Sequence, residues 1–78
     1  MPTHEEINDQ RERLTIHRRN LAHLLRQEAK CSSDYVPLII VNGITEQRGH
    51  IQRIKRILQL WGETVDDHPD DRPPTFSL

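Results

Sequence analysis

Residues 40–61, IVNGITEQRGHIQRIKRILQLW, decide the fold because their large apolar residues recur with the period of an α-helix. They form two interleaved rows with a seven-residue repeat: Ile44, Ile51 and Leu58 in one row, and Ile40, Ile54 and Trp61, with Gln47 between them, in the other. Steps of three and four residues keep side chains on one side of a helix. We call these seven positions the apolar face, and it predicts packing against another helix.

The preceding segment predicts a second long helix, over about residues 4–29. Thr3 and Glu6 have the spacing of a capping box, in which their side chains satisfy free N–H groups at a helix start. No glycine or proline interrupts the segment, and good helix formers dominate it. Its leucines also recur at helical spacing, although Gln10 and His17 stand where leucine would continue the row.

The connection between the two helices is predicted at residues 31–36, where serine and aspartate favour local side chain–backbone hydrogen bonds. Pro37 suits the first position of the second helix, over about residues 37–61. A short connection makes consecutive helices antiparallel neighbours. The alternative is a short strand over residues 35–41, which are rich in β-favouring residues but have no second strand to pair with. The sequence therefore predicts an all-α fold, with an antiparallel helical hairpin over residues 1–62.

Three glycines bear on the second helix. Gly43 and Gly49 lie inside it, where each costs up to about 1 kcal/mol relative to alanine. Two interpretations stay open: a tolerated weakness on the exposed side, or a place where another part of the chain approaches closely. Gly62 is expected to end the helix, because glycine readily takes the left-handed conformation found after a helix C-terminus.

The hairpin is small for an independent fold. The chain has 78 residues, of which 33% are apolar, and a core of this size supports only a few kcal/mol of stability. We therefore expect it to bind itself, as a homodimeric four-helix bundle or a higher oligomer, through whatever apolar surface the hairpin leaves open. The expected core and interface residues are Leu14, His17, Leu21, Leu24, Leu25, Ile40, Ile44, Ile51, Ile54, Leu58 and Trp61.

Charge is segregated along the chain although the net charge is only −1. Residues 11–30 hold six basic and two acidic side chains, whereas residues 63–71 hold five acidic side chains. Opposite blocks in one short chain pair within the chain or between copies, and whether the acidic block docks on the basic residues stays open. Composition predicts that residues 63–78, which are acidic and contain proline, form a flexible tail.

The arginine-rich first helix also permits an alternative function, that of a small nucleic-acid-binding regulator. Basic side chains on both helices could contact phosphates: Arg11, Arg13, Arg18, Arg19, Arg26, Arg53, Lys55 and Arg56. We place this function second, because the chain is near neutral and has neither base-stacking aromatics nor a helix-turn-helix pattern.

No arrangement of residues in the sequence indicates a catalytic or metal-binding site. The five histidines lack the spacing of metal ligands, and the single cysteine, Cys31, has no adjacent histidine and carboxylate to activate it. We therefore predict no catalytic activity, cofactor or metal. The chain also has no signal peptide and no apolar run long enough to span a bilayer, so we expect a cytoplasmic protein that binds no membrane.

Several short motifs carry a family resemblance: RNLAHL at residues 19–24, YVP at 35–37, WG at 61–62, and DDHPDD at 66–71. With these, the chain resembles a short helical module, loosely grouped with effector-associated domains, in bacterial multidomain proteins. There the module accompanies NACHT-type NTPase, TIR, caspase-like or formylglycine-generating-enzyme-like domains. The resemblance implies an adaptor that recruits effectors or sensors, including proteins with a similar module, in a bacterial conflict or signalling system. Gly43 and Gly49 depart from the pattern.

Overall fold

The structure, a computed structural model, describes residues 1–32 and 34–74. It contains two helices, α1 (His4–Lys30) and α2 (Leu38–Leu60), which pack against each other along their length. The predicted all-α helical hairpin is confirmed, and the alternative of a strand is wrong because most of residues 35–41 belong to α2 or its N-cap. Ser33 of the predicted turn and residues 75–78 of the predicted tail lie outside the described residues.

The start of α1 is the capping box that its sequence predicts. The backbone N–H of Glu6 donates to Thr3 Oγ1 over 3.1 Å, and the Thr3 N–H donates to Glu6 Oε1 over 3.3 Å. The helix then continues for 27 residues, a length of about 40 Å at 1.5 Å per residue. It ends at Lys30, because Cys31 has extended backbone angles.

Both ends of α2 are set by residues with special backbone geometry. Pro37 is the N-cap instead of the first helical residue, because its ψ of 138° is extended. At the other end Gly62 has a φ of +79°. There the N–H groups of Gly62 and Glu63 donate to the carbonyls of Gln59 and Leu58, each over 3.0 Å, in the pattern of a Schellman motif. Neither helix is long and apolar enough to cross a lipid bilayer.

The core lies between the two helices and comes from both. Its buried members are Leu14 and Leu21 of α1 and Ile44, Ile51, Ile54 and Leu58 of α2. Fully burying one such side chain contributes about 1.5–3 kcal/mol. Gly43 lets the helices come close here, since a Cβ atom on it would lie 3.1 Å from Leu24 Cδ1. A Cβ on Gly49 would meet only Pro74 Cγ, at 4.0 Å, so that glycine is not needed for close packing.

After Gly62 the chain turns back and lies across both helices. We call residues 63–74 the strap. Val65 of the strap packs against the core, and Asp71 is buried, with 5% of its surface exposed. Composition predicted a flexible tail, and its flexibility stays a prediction. Composition did not predict where the segment lies, because that depends on individual ion pairs.

Candidate protein interaction site

The hairpin has two sides, and helical spacing assigns residues to each. His17 and Arg18 lie three and four positions after Leu14, so they flank the α1–α2 contact on opposite sides. In α2, Lys55 lies four positions after Ile51 and takes the same side as Arg18, since both bind the strap. The strap therefore covers one side of the hairpin. We call the other, where His17 lies, the open side.

The predicted core and interface residues come together in the contact between α1 and α2. Six of the eleven are the buried core residues named above. Four more are partly buried against that core: Leu24, Leu25, Ile40 and Trp61. The remaining one, His17, is partly buried in α1. Most of the apolar surface that these residues form is thus covered within one hairpin, and little of it is left open for a second copy.

The polar positions in the apolar rows meet each other. His17 Nδ1 of α1 lies 2.7 Å from Gln47 Oε1 of α2, at hydrogen-bond distance. The His17 ring also stacks on His50, with ring centroids 4.6 Å apart and planes inclined by 17°. Sliding one helix along the other would leave both polar groups without a partner, and such a pair favours a single register.

On the strapped side, the carboxylate of Asp71 lies between a cation from each helix. Arg18 of α1 approaches with Nη2 2.5 Å from Oδ2 and with Nε 3.2 Å from both carboxylate oxygens. Lys55 of α2, which is itself only 8% exposed, places Nζ 3.5 Å from Oδ2. The backbone N–H of His68 donates to the same oxygen over 3.2 Å. A single buried acid thus ties the strap to both helices.

The surroundings of Asp71 act on its pKa in opposite directions. Burial alone raises the pKa, because it removes water from the charged form. The hydrogen bonds from Arg18 and from the His68 N–H, and the charges of Arg18 and Lys55, lower it by more. The net result is a pKa below the ordinary value of 3.8. Asp71 is therefore ionised at neutral pH.

Further contacts extend along the groove between the helices. Arg11 reaches Glu63 Oε1 over 3.0 Å and the Thr64 carbonyl over 3.1 Å. Arg48 Nε donates to the Asp70 carbonyl over 3.3 Å. The remaining contacts are an ion pair between Lys55 and Asp67, and hydrogen bonds from Gln52 to the Asp71 carbonyl and from Arg18 to the Asp66 carbonyl. We call the side chains that hold the strap the cationic groove: Arg11, Arg18, Arg48, Gln52 and Lys55.

Asp71 and its partners were missed by the reasoning from sequence. The available signals were the acidic block itself and Pro69, which suits the second position of a turn. The structure has that turn, with the Asp71 N–H donating to the His68 carbonyl over 3.0 Å. The turn directs the Asp71 side chain inward, whereas the neighbouring Asp70 is exposed.

Large apolar side chains are exposed where the chain enters α2. Four lie within seven residues, and their exposed fractions are 70% for Tyr35, 71% for Leu38, 79% for Ile39 and 42% for Val41. We call them the turn-end patch. Single exposed apolar residues are ordinary on protein surfaces, but a contiguous group marks an interaction site more often. Leu60, which is 79% exposed at the opposite end of α2, is an example of the ordinary kind.

Metal ligands and clefts are the features that would mark a chemical site. Within residues 1–32 and 34–74, no group of three or more histidine, cysteine, aspartate or glutamate side chains is placed to hold a metal ion. An open cleft of about 530 Å³ lies between α2 and the strap, and its charged lining includes Arg53, Lys55, Arg56 and Asp67. Such a lining is polar and cationic, unlike the mostly apolar lining of typical small-molecule sites.

Comparison of the chain with protein-family models, with curated proteins and with solved structures gave no match. The resemblance to effector-associated modules therefore rests on the sequence motifs alone.

Proposed function

We propose that this chain is a protein interaction module that binds a second copy of itself through the turn-end patch. The observation that carries the proposal is the exposure of Tyr35, Leu38, Ile39 and Val41 in one short stretch. Other exposed large apolar residues, such as Leu60 and Ile16, stand apart from one another along the chain, so this patch is where burial by a partner would gain most.

The chemistry of the patch suits contact with an identical patch. Residues 35–41, YVPLIIV, contain no charged side chain, so two copies can meet there without burying an unpaired charge. A two-fold symmetric dimer places the same surface on both partners, as a self-complementary patch allows. Ile40, partly buried against the core, connects the patch to the apolar face, and the contact would extend the core outward.

The wider role that we propose comes from the family resemblance. A self-associating hairpin of this kind would bring effector or sensor proteins together in a bacterial conflict or signalling system. Its motifs RNLAHL, YVP and DDHPDD support that assignment. The nucleic-acid alternative is less favoured, because Arg11, Arg18 and Lys55 are held by carboxylates of the same chain.

The test is the solution mass of the chain, measured by light scattering across a wide range of concentrations. We expect the wild-type chain to exceed the 9.2 kDa of one copy as concentration rises. The double variant Leu38→Glu/Ile39→Glu is expected to stay at the mass of one copy, because it places charges in the patch, and to keep its helical circular dichroism.

Leu60→Glu is the matched control, since Leu60 is as exposed as Ile39 but lies at the other end of α2. We expect this variant to associate as the wild type does. A wild-type chain that stays monomeric at every concentration would refute self-association. Loss of association in Leu60→Glu as well would refute the assignment to the turn-end patch.

A further inference from the structure

The strap is attached to the hairpin in a way that a second copy could reproduce. Among the described residues beyond Glu63, the hydrogen bonds between the strap and the helices are donated by helix side chains. These donors contact two carboxylates, those of Asp67 and Asp71, and several backbone carbonyls. What the cationic groove recognises is therefore an acidic segment with aspartates four residues apart and a turn at residues 68–71.

The connection between the hairpin and the strap is short, and its glycine can adopt several backbone conformations. Gly62 has a φ of +79° and no atom within 4 Å of the place where a Cβ would sit. Glycine populates several backbone conformations at similar cost, so a change at this residue can redirect the strap away from its own hairpin. Such an opening would break the strap contacts and leave α1 and α2 packed.

An opened strap leaves the cationic groove in an unfavourable state. With the strap in place, the side chains of Arg18 and Lys55 are only 17% and 10% exposed. Opening the strap exposes both cations to water, but they lose the carboxylate between them and are left as neighbouring like charges. The groove therefore has a marked preference for being occupied, and an identical strap from another copy supplies every contact of the original.

We infer that residues 63–74 exchange between copies, the strap of one chain occupying the cationic groove of another. Charge complementarity selects this occupant, since the acidic strap already fits the groove residue by residue. In a single chain the tethered strap has an effective concentration of order millimolar. Exchange is consequently favoured where chains are concentrated or clustered. The inference uses the strapped side of the hairpin and does not rest on the turn-end patch.

Two full-length variants that complement each other test the exchange, both carrying Leu38→Glu/Ile39→Glu to remove association through the turn-end patch. The acceptor adds Asp67→Asn/Asp71→Asn, so its strap cannot neutralise its own groove. The donor adds Arg18→Gln/Lys55→Gln, so its intact strap has no cationic groove to occupy. Each variant alone is expected at the mass of one chain. Mixing them is expected to give a species of about twice the 9.2 kDa of one chain, measured by sedimentation equilibrium.

The matched controls are further substitutions in the strap of the donor variant. Adding Asp71→Asn to the donor is expected to abolish the mixed dimer. Adding Asp70→Asn instead is expected to preserve it, because Asp70 contributes only a backbone carbonyl to the groove. Where circular dichroism shows that the donor loses helix, Arg18→Gln alone replaces the pair of donor substitutions, since it removes the closest cation of Asp71.

Folded acceptor and donor chains that remain at single-chain mass after mixing, at every concentration, would overturn the inference. A mixed dimer that survives Asp71→Asn in the donor would overturn it too, because the contact would then not be the one described. Association of the wild type that vanishes with Leu38→Glu/Ile39→Glu reports on the turn-end patch alone. The two proposals can therefore fail separately.

Discussion

The contact between α1 and α2 and the contact between the strap and both helices depend on opposite kinds of chemistry. The first is apolar, with Ile51 and Leu58 fully buried, and burial of apolar area is non-directional and roughly additive. The second centres on one carboxylate, that of Asp71, between Arg18 and Lys55. A buried ion pair of this kind adds little stability compared with apolar residues of the same volume. Removing only one of its partners is nevertheless strongly destabilising, because the other charge is left buried and unpaired. Substitutions that remove apolar packing should therefore destabilise the hairpin. Substitutions that remove a charge should detach the strap.

The largest effect is expected from a charge in the apolar contact. Ile51→Asp places a carboxylate where the side chain has no exposed surface, among core residues that are all apolar. We expect a cost above about 4 kcal/mol, enough to abolish folding and assembly, seen as loss of helical circular dichroism. Ile39→Asp is the control, because the same substitution at a 79% exposed position of α2 should leave the helices intact. An Ile51→Asp chain that stayed folded and assembled would contradict our assignment of the core.

A smaller effect is expected from removing the centre of the strap contact. Asp71→Ala leaves Arg18 and Lys55 without their shared carboxylate, and we expect a cost of about 3 kcal/mol. Urea unfolding followed by the fluorescence of Trp61, the single tryptophan, measures it. Asp70→Ala is matched in chemistry and position, but its side chain is exposed, so its effect should stay within about 0.5 kcal/mol. Equal effects of the two substitutions would show that net charge, and not the buried pair, holds the strap.

Acid should weaken the strap contact and leave the apolar contact nearly unchanged. The pKa of Asp71 in the folded chain is below 3.8, so the folded state binds the Asp71 proton less readily than the unfolded state does. The resulting stability is fully present above the unfolded pKa and is lost as pH falls through the folded pKa. Urea unfolding of wild type and Asp71→Asn should therefore differ most near neutral pH and converge below 3.8. A difference that stayed constant down to low pH would contradict this account.

The same contrast explains how much could be predicted from the sequence. The helices follow from the period of Ile44, Ile51 and Leu58, and their ends follow from Thr3, Glu6 and Gly62, because these signals are local. Neither His17 nor Gln47 alone predicts their mutual hydrogen bond, since each only marks a break in its own row. Asp71 looks like any other acid of its block, and its burial depends on a turn and on two cations distant in sequence. Residues 35–41 are visibly apolar, but only the packed helices show which of their side chains stay exposed.

The smallest effects are expected at the two helical glycines. Gly43 lies where the helices approach closely, whereas Gly49 has no close neighbour. Gly49→Ala should stabilise the chain by up to about 1 kcal/mol, because its added Cβ meets only Pro74 at 4.0 Å. Gly43→Ala has the same gain in helix propensity, but its Cβ would lie 3.1 and 3.3 Å from the two methyl groups of Leu24. Leu24 must then shift, and we expect most of the gain to be lost. The difference between the two urea midpoints therefore measures how tightly α1 and α2 are packed. Equal gains would mean that Leu24 moves freely and that Gly43 is not needed for the approach of the helices.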